Sequence, residues 1–245
     1  DKRNAMSDDM RTEFIDALER VAADKAIKAL VLTGAGKGFC AGGDIAGMQR
    51  RMNAPAGEVG FNGWQRQQRV HHVQALLHTM PKPVIAAVNG MAVGGGFEIA
   101  LAADLIVAAD HAEFFLPEAT LGLIADNATI RLPRVVPPNV AREMLISGRR
   151  MSATEAKSWG IVNQVSTSDD LMTTARQLAE KICLSAPLSV AAVLDLIRQL
   201  ETVSTDDAMS VLRNNPTYRA AIESQDAAEG TKAFAEKRAP KWQGK

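Results

Sequence analysis

The chain has 245 residues, 47% hydrophobic and 23% charged, with 28 basic and 28 acidic side chains, enough to bury a sizeable core without a disulfide or metal staple. Zero net charge argues against a strongly basic face for nucleic acid, and two cysteines, Cys40 and Cys183, make no disulfide framework and fit a reducing compartment. Residues 1–7 lack a signal peptide's apolar stretch, and no run reaches the roughly 18 apolar residues of a membrane span, so a cytoplasmic protein with no membrane partner is expected.

Ser7 can cap a helix whose first turn carries Asp8 and Asp9, with Met10, Phe14, Leu18 and Val21 on one face. The run Ala29-Leu30-Val31-Leu32 predicts a strand, and Thr33-Gly34-Ala35-Gly36-Lys37-Gly38 a loop. Residues 41–63 show no clear period, whereas 65–78 predict a helix striped by Val70, Val73 and Leu77. Pro83 starts a buried strand over 84–88 that runs into Asn89-Gly90; glycines 94–96 open a helix through Leu101, and 105–108 is strand-like again. Short strands alternating with helices indicate an α/β fold.

From about residue 138 helices dominate. Ser152 and Glu155 make a capping box before a short helix stopped at Gly160, and 161–165 is the last expected strand. Helices over about 168–184, 187–201, 205–223 and 225–237 complete the chain. The division expected is an α/β body over 1–190 and a helical region over 191–245.

Several apparent motifs fail on spacing. Gly34-Ala35-Gly36-Lys37 follows a strand, but a phosphate loop needs glycine at 31 and Ser or Thr at 38, where Val31 and Gly38 stand. Phe39 occupies the third glycine position of a dinucleotide fingerprint. His71, His72 and His78 share a helix without zinc-binding spacing, so no metal is expected, and the serines lack a nucleophile elbow.

Two glycine-rich turns, each after an apolar strand, carry the chemistry. They are Phe39-Cys40-Ala41-Gly42-Gly43-Asp44-Ile45 and Asn89-Gly90-Met91-Ala92-Val93-Gly94-Gly95-Gly96-Phe97-Glu98. Glycine lets backbone N–H groups approach a ligand closely, and two such groups converging on one point make an oxyanion hole. Each turn alone reads as a tight strand-to-helix connection; the glutamates reverse that balance. Glu98 sits in the first turn of a helix, and Glu118, in Phe114-Phe115-Leu116-Pro117-Glu118, follows apolar residues that raise a carboxyl's pKa.

With the later segments Ile130-Arg131-Leu132-Pro133, Gly160-Ile161-Val162-Asn163 and Ala233-Phe234-Ala235-Glu236-Lys237-Arg238, this pattern resembles the enoyl-CoA hydratase/isomerase (crotonase) family over almost the whole chain. Within it, Gly148-Arg149-Arg150-Met151, residues 159–163 and Arg238-Ala239-Pro240-Lys241-Trp242 are most similar to the carnitinyl-CoA dehydratase branch. The resemblance implies a crotonase-like spiral of ββα units with a helical C-terminal trimerisation region, assembled as a trimer or dimer of trimers. It assigns the oxyanion N–H groups to Gly43 and Gly95 and the catalytic carboxyls to Glu98 and Glu118. It places Asn4, Ala5, Ala41, Asp44 and Ile45 along the CoA and thioester cleft, and Phe234 and Lys237 near CoA.

The family usually opens with a strand pair ahead of the Arg-Asn-Ala segment, which implies strands preceding Asp1. It also carries paired glycines where this chain reads Ala125-Asp126-Asn127-Ala128-Thr129, in a loop expected to support the acyl pocket and Glu118. The expected activity is hydration of an enoyl-CoA, or the reverse, with the CoA ester as substrate and no separate cofactor. The alternatives are a Δ3–Δ2 enoyl-CoA isomerase and a catalytically idle acyl-CoA-binding protein.

Overall fold

The computed structural model describes residues 3–53, 55 and 57–245. Helix α1 (Asp8–Ala23) begins where Ser7, in extended backbone, accepts the Met10 N–H at 3.2 Å; Leu18 is buried, and Met10, Phe14 and Val21 pack half-buried beside it. After β1 (Leu30–Thr33) come α2 (Ile45–Met52) and α3 (Glu58–His78). The 41–63 stretch thus holds helix where no period is visible, and α3 begins ahead of the expected residue 65. Asp44 starts α2: its Oδ2 accepts the Gly47 N–H at 3.2 Å and its carbonyl the Met48 N–H at 3.0 Å.

Next come β2 (Val84–Val88), β3 (Ala92–Val93), α4 (Gly95–Ala102), β4 (Leu105–Ala109), β5 (Glu113–Phe115), a 3-10 turn over Glu118–Leu121, and α5 (Asp126–Val135). They lead to α6 (Pro138–Ser147), β6 (Met151–Ser152), α7 (Ala153–Ser158), β7 (Gln164–Ser166), α8 (Leu171–Cys183) and α9 (Pro187–Leu200). The chain finishes with α10 (Thr205–Asn214), α11 (Pro216–Ile222) and α12 (Gln225–Ala235). The helix expected over 205–223 is two helices, because Pro216 disfavours helical backbone at Asn215, which is extended and caps α11 by accepting the Tyr218 N–H at 2.7 Å.

The main sheet is parallel, in the order β1-β2-β4-β7. All five residues of β2 are buried, as an interior strand covered on both faces requires. A second sheet, β3-β5-β6, pairs Ala92 with Phe114 in parallel and Phe114 with Met151 antiparallel. Phe97 of α4 packs on Phe114 with ring centroids 5.1 Å apart, joining α4 to this small sheet. The core runs from α1 through α8. Beyond it α9–α12 bury mainly alanines (Ala192, Ala221, Ala233), while Val193, Ile197 and Met209 stay exposed.

Candidate active site

The first glycine turn is stitched to the second. Cys40 N–H donates to the Met91 carbonyl at 3.2 Å, and Val93 N–H donates back to the Cys40 carbonyl at 3.0 Å. Met6 N–H holds the Gly42 carbonyl at 2.8 Å from the other side. The two backbones lie so close that glycine is obligatory where they cross. A Cβ on Gly42 (φ +81°) would sit 2.7 Å from the Val93 carbonyl oxygen, and one on Gly96 2.2 Å from that of Cys40. Gly42, Gly43 and Gly95 consequently line one small cavity of about 30 Å³, with Gln74, Arg66 and Ile99 around it. Gly95 is the first residue of α4, where N–H groups have no carbonyl partner within the helix and the dipole is positive. Such a spot can stabilise a developing oxyanion.

α4 is apolar on all sides apart from Glu98, which is only 4% exposed. Its Oε2 accepts from Gln74 Nε2 and its Oε1 from the Ala128 N–H, both at 3.0 Å; Asn127 Nδ2 holds the Glu98 carbonyl at 3.1 Å. Burial raises the Glu98 pKa, and the Ala128 N–H and the Gln74 amide offset part of that rise. Residues 126–129, expected as a loop beside Glu118, are the first turn of α5, and they support the first glutamate by direct hydrogen bonds.

Glu118 opens the 3-10 turn beyond β5. Burial pushes its carboxyl up to about 7, its own N–H and that of Gly95 lower it in part, and the Glu98 and Asp126 carboxylates raise it again. Its Oε2 is buried without a hydrogen-bond partner. A Cβ on Gly94 (φ +52°) would lie 2.1 Å from Glu118 Oε1, so the second glycine turn also makes room for this carboxylate. The pair joins a firmly held buried carboxyl to one poised near neutrality, the arrangement that moves protons in both directions.

The other expected residues divide. Asn4 Nδ2 points at three carbonyls, Ala35 at 3.0 Å, Gly38 at 2.9 Å and Phe39 at 3.0 Å, and so ties the N-terminal segment to the loop after β1. It edges an apolar cavity of about 350 Å³ with Met10, Phe14, Leu32 and Phe39. Ala5 is half-buried beside it, and Ala41 N–H donates to the Arg3 carbonyl at 3.0 Å. Asp44 is spent on starting α2, and Ile45 is exposed. Phe234, on α12, is 88% exposed, and neither it nor Lys237 lines either cavity beside the turns. The Cys40 thiol, pushed up to about 11 by burial, stays protonated and donates to the Asn4 carbonyl at 3.1 Å; it is no nucleophile.

Gln74 escapes the sequence reading, and Asn127 and Ala128, expected there to support the acyl pocket and Glu118, bond to Glu98. Gln74 lies between Val73 and Leu77 of the apolar stripe on α3 and is 5% exposed. The glycine turn after β1 is folded on itself: a Cβ on Gly34 would meet the Gly38 carbonyl oxygen at 2.1 Å, and Asn89 Nδ2 holds the Gly34 and Gly36 carbonyls at 3.0 and 2.9 Å. No phosphate cradle is left there. Among the described residues no group of three or more His, Cys, Asp or Glu could hold a metal ion.

A family model described as enoyl-CoA hydratase/isomerase matches residues 1–245. A carnitinyl-CoA dehydratase of Proteus mirabilis is 42% identical over 250 residues, covering 100% of this chain and 92% of that protein. One from Escherichia coli O157:H7 is 41% identical over 247 residues, with the same 100% and 92% coverage. Among solved structures, an enoyl-CoA hydratase from Bacillus anthracis superposes with a TM-score of 0.89 at 32% identity, covering 100% of this chain and 92% of that one.

Proposed function

The chain belongs to the enoyl-CoA hydratase/isomerase family and is a hydro-lyase of it, and on that premise we propose that Gly43, Gly95, Glu98 and Glu118 add water to, or remove it from, the acyl group of a CoA thioester. The thioester carbonyl oxygen sits between the N–H groups of Gly43 and Gly95, the latter turning to it from the Glu118 carboxyl that it otherwise meets. These hydrogen bonds strengthen as enolate charge develops, and one such donor is typically worth about 2.7–4 kcal/mol in the transition state. In dehydration Glu118 takes the α-proton, the electron pair moves into the thioester, and the β C–O bond breaks while Glu98 protonates the departing hydroxyl. In hydration Glu98 takes a proton from water and Glu118 protonates the α-carbon.

There is no net redox change, so the reaction calls for no cofactor beyond the CoA carried by the substrate. The carnitinyl-CoA dehydratases at 40–42% identity make carnitinyl-CoA and its dehydrated enoyl partner the first substrates to try. The single observation that carries this reading is the pair of unlike carboxyls flanking the glycine turns, Glu98 gripped by Gln74 and Ala128, and Glu118 near 7. The first turn of α5, for all its departure from paired glycines, supplies a hydrogen bond to Glu98, which favours an active enzyme over an idle binder.

Oligomerisation through the helical C-terminal region belongs to the same proposal. Val193, Ile197 and Met209 leave more apolar surface than α9 and α10 cover, a homotrimer or dimer of trimers being the assembly the family resemblance implies. No helix among the described residues is long and apolar enough to cross a membrane, and nucleic acid has no part in the reading. The test is a panel of 3-hydroxyacyl-CoA esters including carnitinyl-CoA, assayed for dehydration beside double-bond migration on 3-enoyl-CoA. Dehydration should outrun migration; the reverse order would make the enzyme an isomerase.

A further inference from the structure

α3 carries Gln67, His71 and Gln74 at positions i, i+4 and i+7, on one helical face. Gln74 grips Glu98 directly. One turn further out, Gln67 Nε2 and His71 Nε2 both meet Asp126 Oδ2, the histidine at 2.9 Å. Asp126 is the first residue of α5, and the next two residues are those that hold Glu98 from the opposite side: Asn127 through the Glu98 carbonyl and Ala128 through Oε1. One face of α3 thus holds the carboxylate and also the segment that closes on it. Ala125, ahead of α5, makes no side-chain cap. Within the segment its carbonyl accepts from Thr129 Oγ1 at 2.6 Å and the Thr129 N–H at 2.9 Å, and the hold from outside the segment is the contact with α3.

From this we infer, resting on the function proposed above, that Asp126, clamped by Gln67 and His71, is a positioning residue that acts through Asn127 and Ala128 to hold Glu98 in its reactive orientation. The clamp ties the start of α5 to α3, beside the two residues that hold Glu98. An Asp at a helix start has a purely structural role too, through the dipole. The two roles separate by substitution. Gln67→Ala/His71→Ala removes the clamp and leaves Asp126 at the start of α5. Asp126→Asn keeps an oxygen that accepts from the same two donors while removing the charge.

The experiment is steady-state turnover of a CoA ester by the full chain, wild type beside Asp126→Ala, Asp126→Asn and Gln67→Ala/His71→Ala, each checked for folding by thermal melting. Misplacing a catalytic group by about 1 Å can cost about 10²-fold. Asp126→Ala and the double variant should each lose about 10- to 100-fold in kcat with KM within about threefold of wild type, and Asp126→Asn should recover most of the loss. If Asp126→Ala does not fold, the double variant carries the test. A double variant within about twofold of wild-type kcat, a loss seated in KM, or an Asp126→Asn as impaired as Asp126→Ala overturns the inference alone. A wild type that turns over no CoA ester overturns the function, and the inference with it.

Discussion

Glu98 is 4% exposed and has two donors on its carboxylate, whereas Glu118 has a buried oxygen with none and a carboxyl pushed to about 7. Water addition and removal differ only in which of the two holds the proton at the start, so in either direction the pair must carry a single proton. The pH profile of kcat/KM should therefore be the same bell for hydration and dehydration, its alkaline limb falling through about 7 as that proton is lost. A flat profile, or a rate that rises through 7, would contradict the assignment. Glu118→Gln should lower turnover by about 10²–10⁴-fold while leaving CoA-ester binding intact, measured by calorimetry on the same preparation. The same substitution should stabilise the fold. A carboxyl whose folded pKa is raised from 4.5 to about 7 costs stability progressively as pH climbs through that window. At pH 8 Glu118→Gln should raise the unfolding free energy by on the order of 1–2 kcal/mol, below the full linkage value because the carboxyl is only half-buried, and at pH 4 the gain should vanish.

The glycine turns are elements whose shape is set by contact. Gly96 lies on the Cys40 carbonyl and Gly94 on Glu118, so neither has space for a methyl group. Gly96→Ala should cost about 1–3 kcal/mol or prevent folding, seen in urea unfolding. Gly94→Ala should displace Glu118 and lose kcat well before it loses the fold; equal melting and equal kcat in both variants would contradict this. Elements with a strong local signal are those the sequence discloses. β2 matches its expected bounds because Pro83 precedes five buried apolar residues, and α1 because a cap and an apolar stripe coincide. β3 and β6 have two residues each, too few for any alternation to show. α5 is hidden by Asp-Asn-Ala-Thr, which carries no stripe, and by Pro133 inside it. The break at Asn215-Pro216 was available from the proline rule alone. In the site, Glu98 and Glu118 stand out as carboxyls after glycine and apolar runs. The His71–Asp126 contact spans 55 residues and leaves no local trace.

At the scale of the whole molecule, a parallel sheet and α4 fix the two glycine turns and Glu98, while α9–α12 form a helical region with its own exposed apolar face. Val193 and Ile197 are 54% and 63% exposed, on one side of α9. Val193→Glu/Ile197→Glu should reduce the mass seen by light scattering from an oligomer to a monomer and keep the helical content, since neither side chain supports the core. An unchanged mass would place the interface elsewhere. The reaction itself is tested most directly by isotope. A 2-enoyl-CoA is incubated with the enzyme in deuterium oxide enriched in oxygen-18, and the thioester product is read by mass spectrometry. The account predicts one oxygen-18 at the β-carbon and one deuterium at the α-carbon per turnover. With Glu98→Ala the oxygen should be lost far more severely than the α-carbon exchange with solvent that Glu118 still supports. Deuterium without oxygen-18 in the wild type, or Glu98→Ala that still adds oxygen at the wild-type rate, would contradict it.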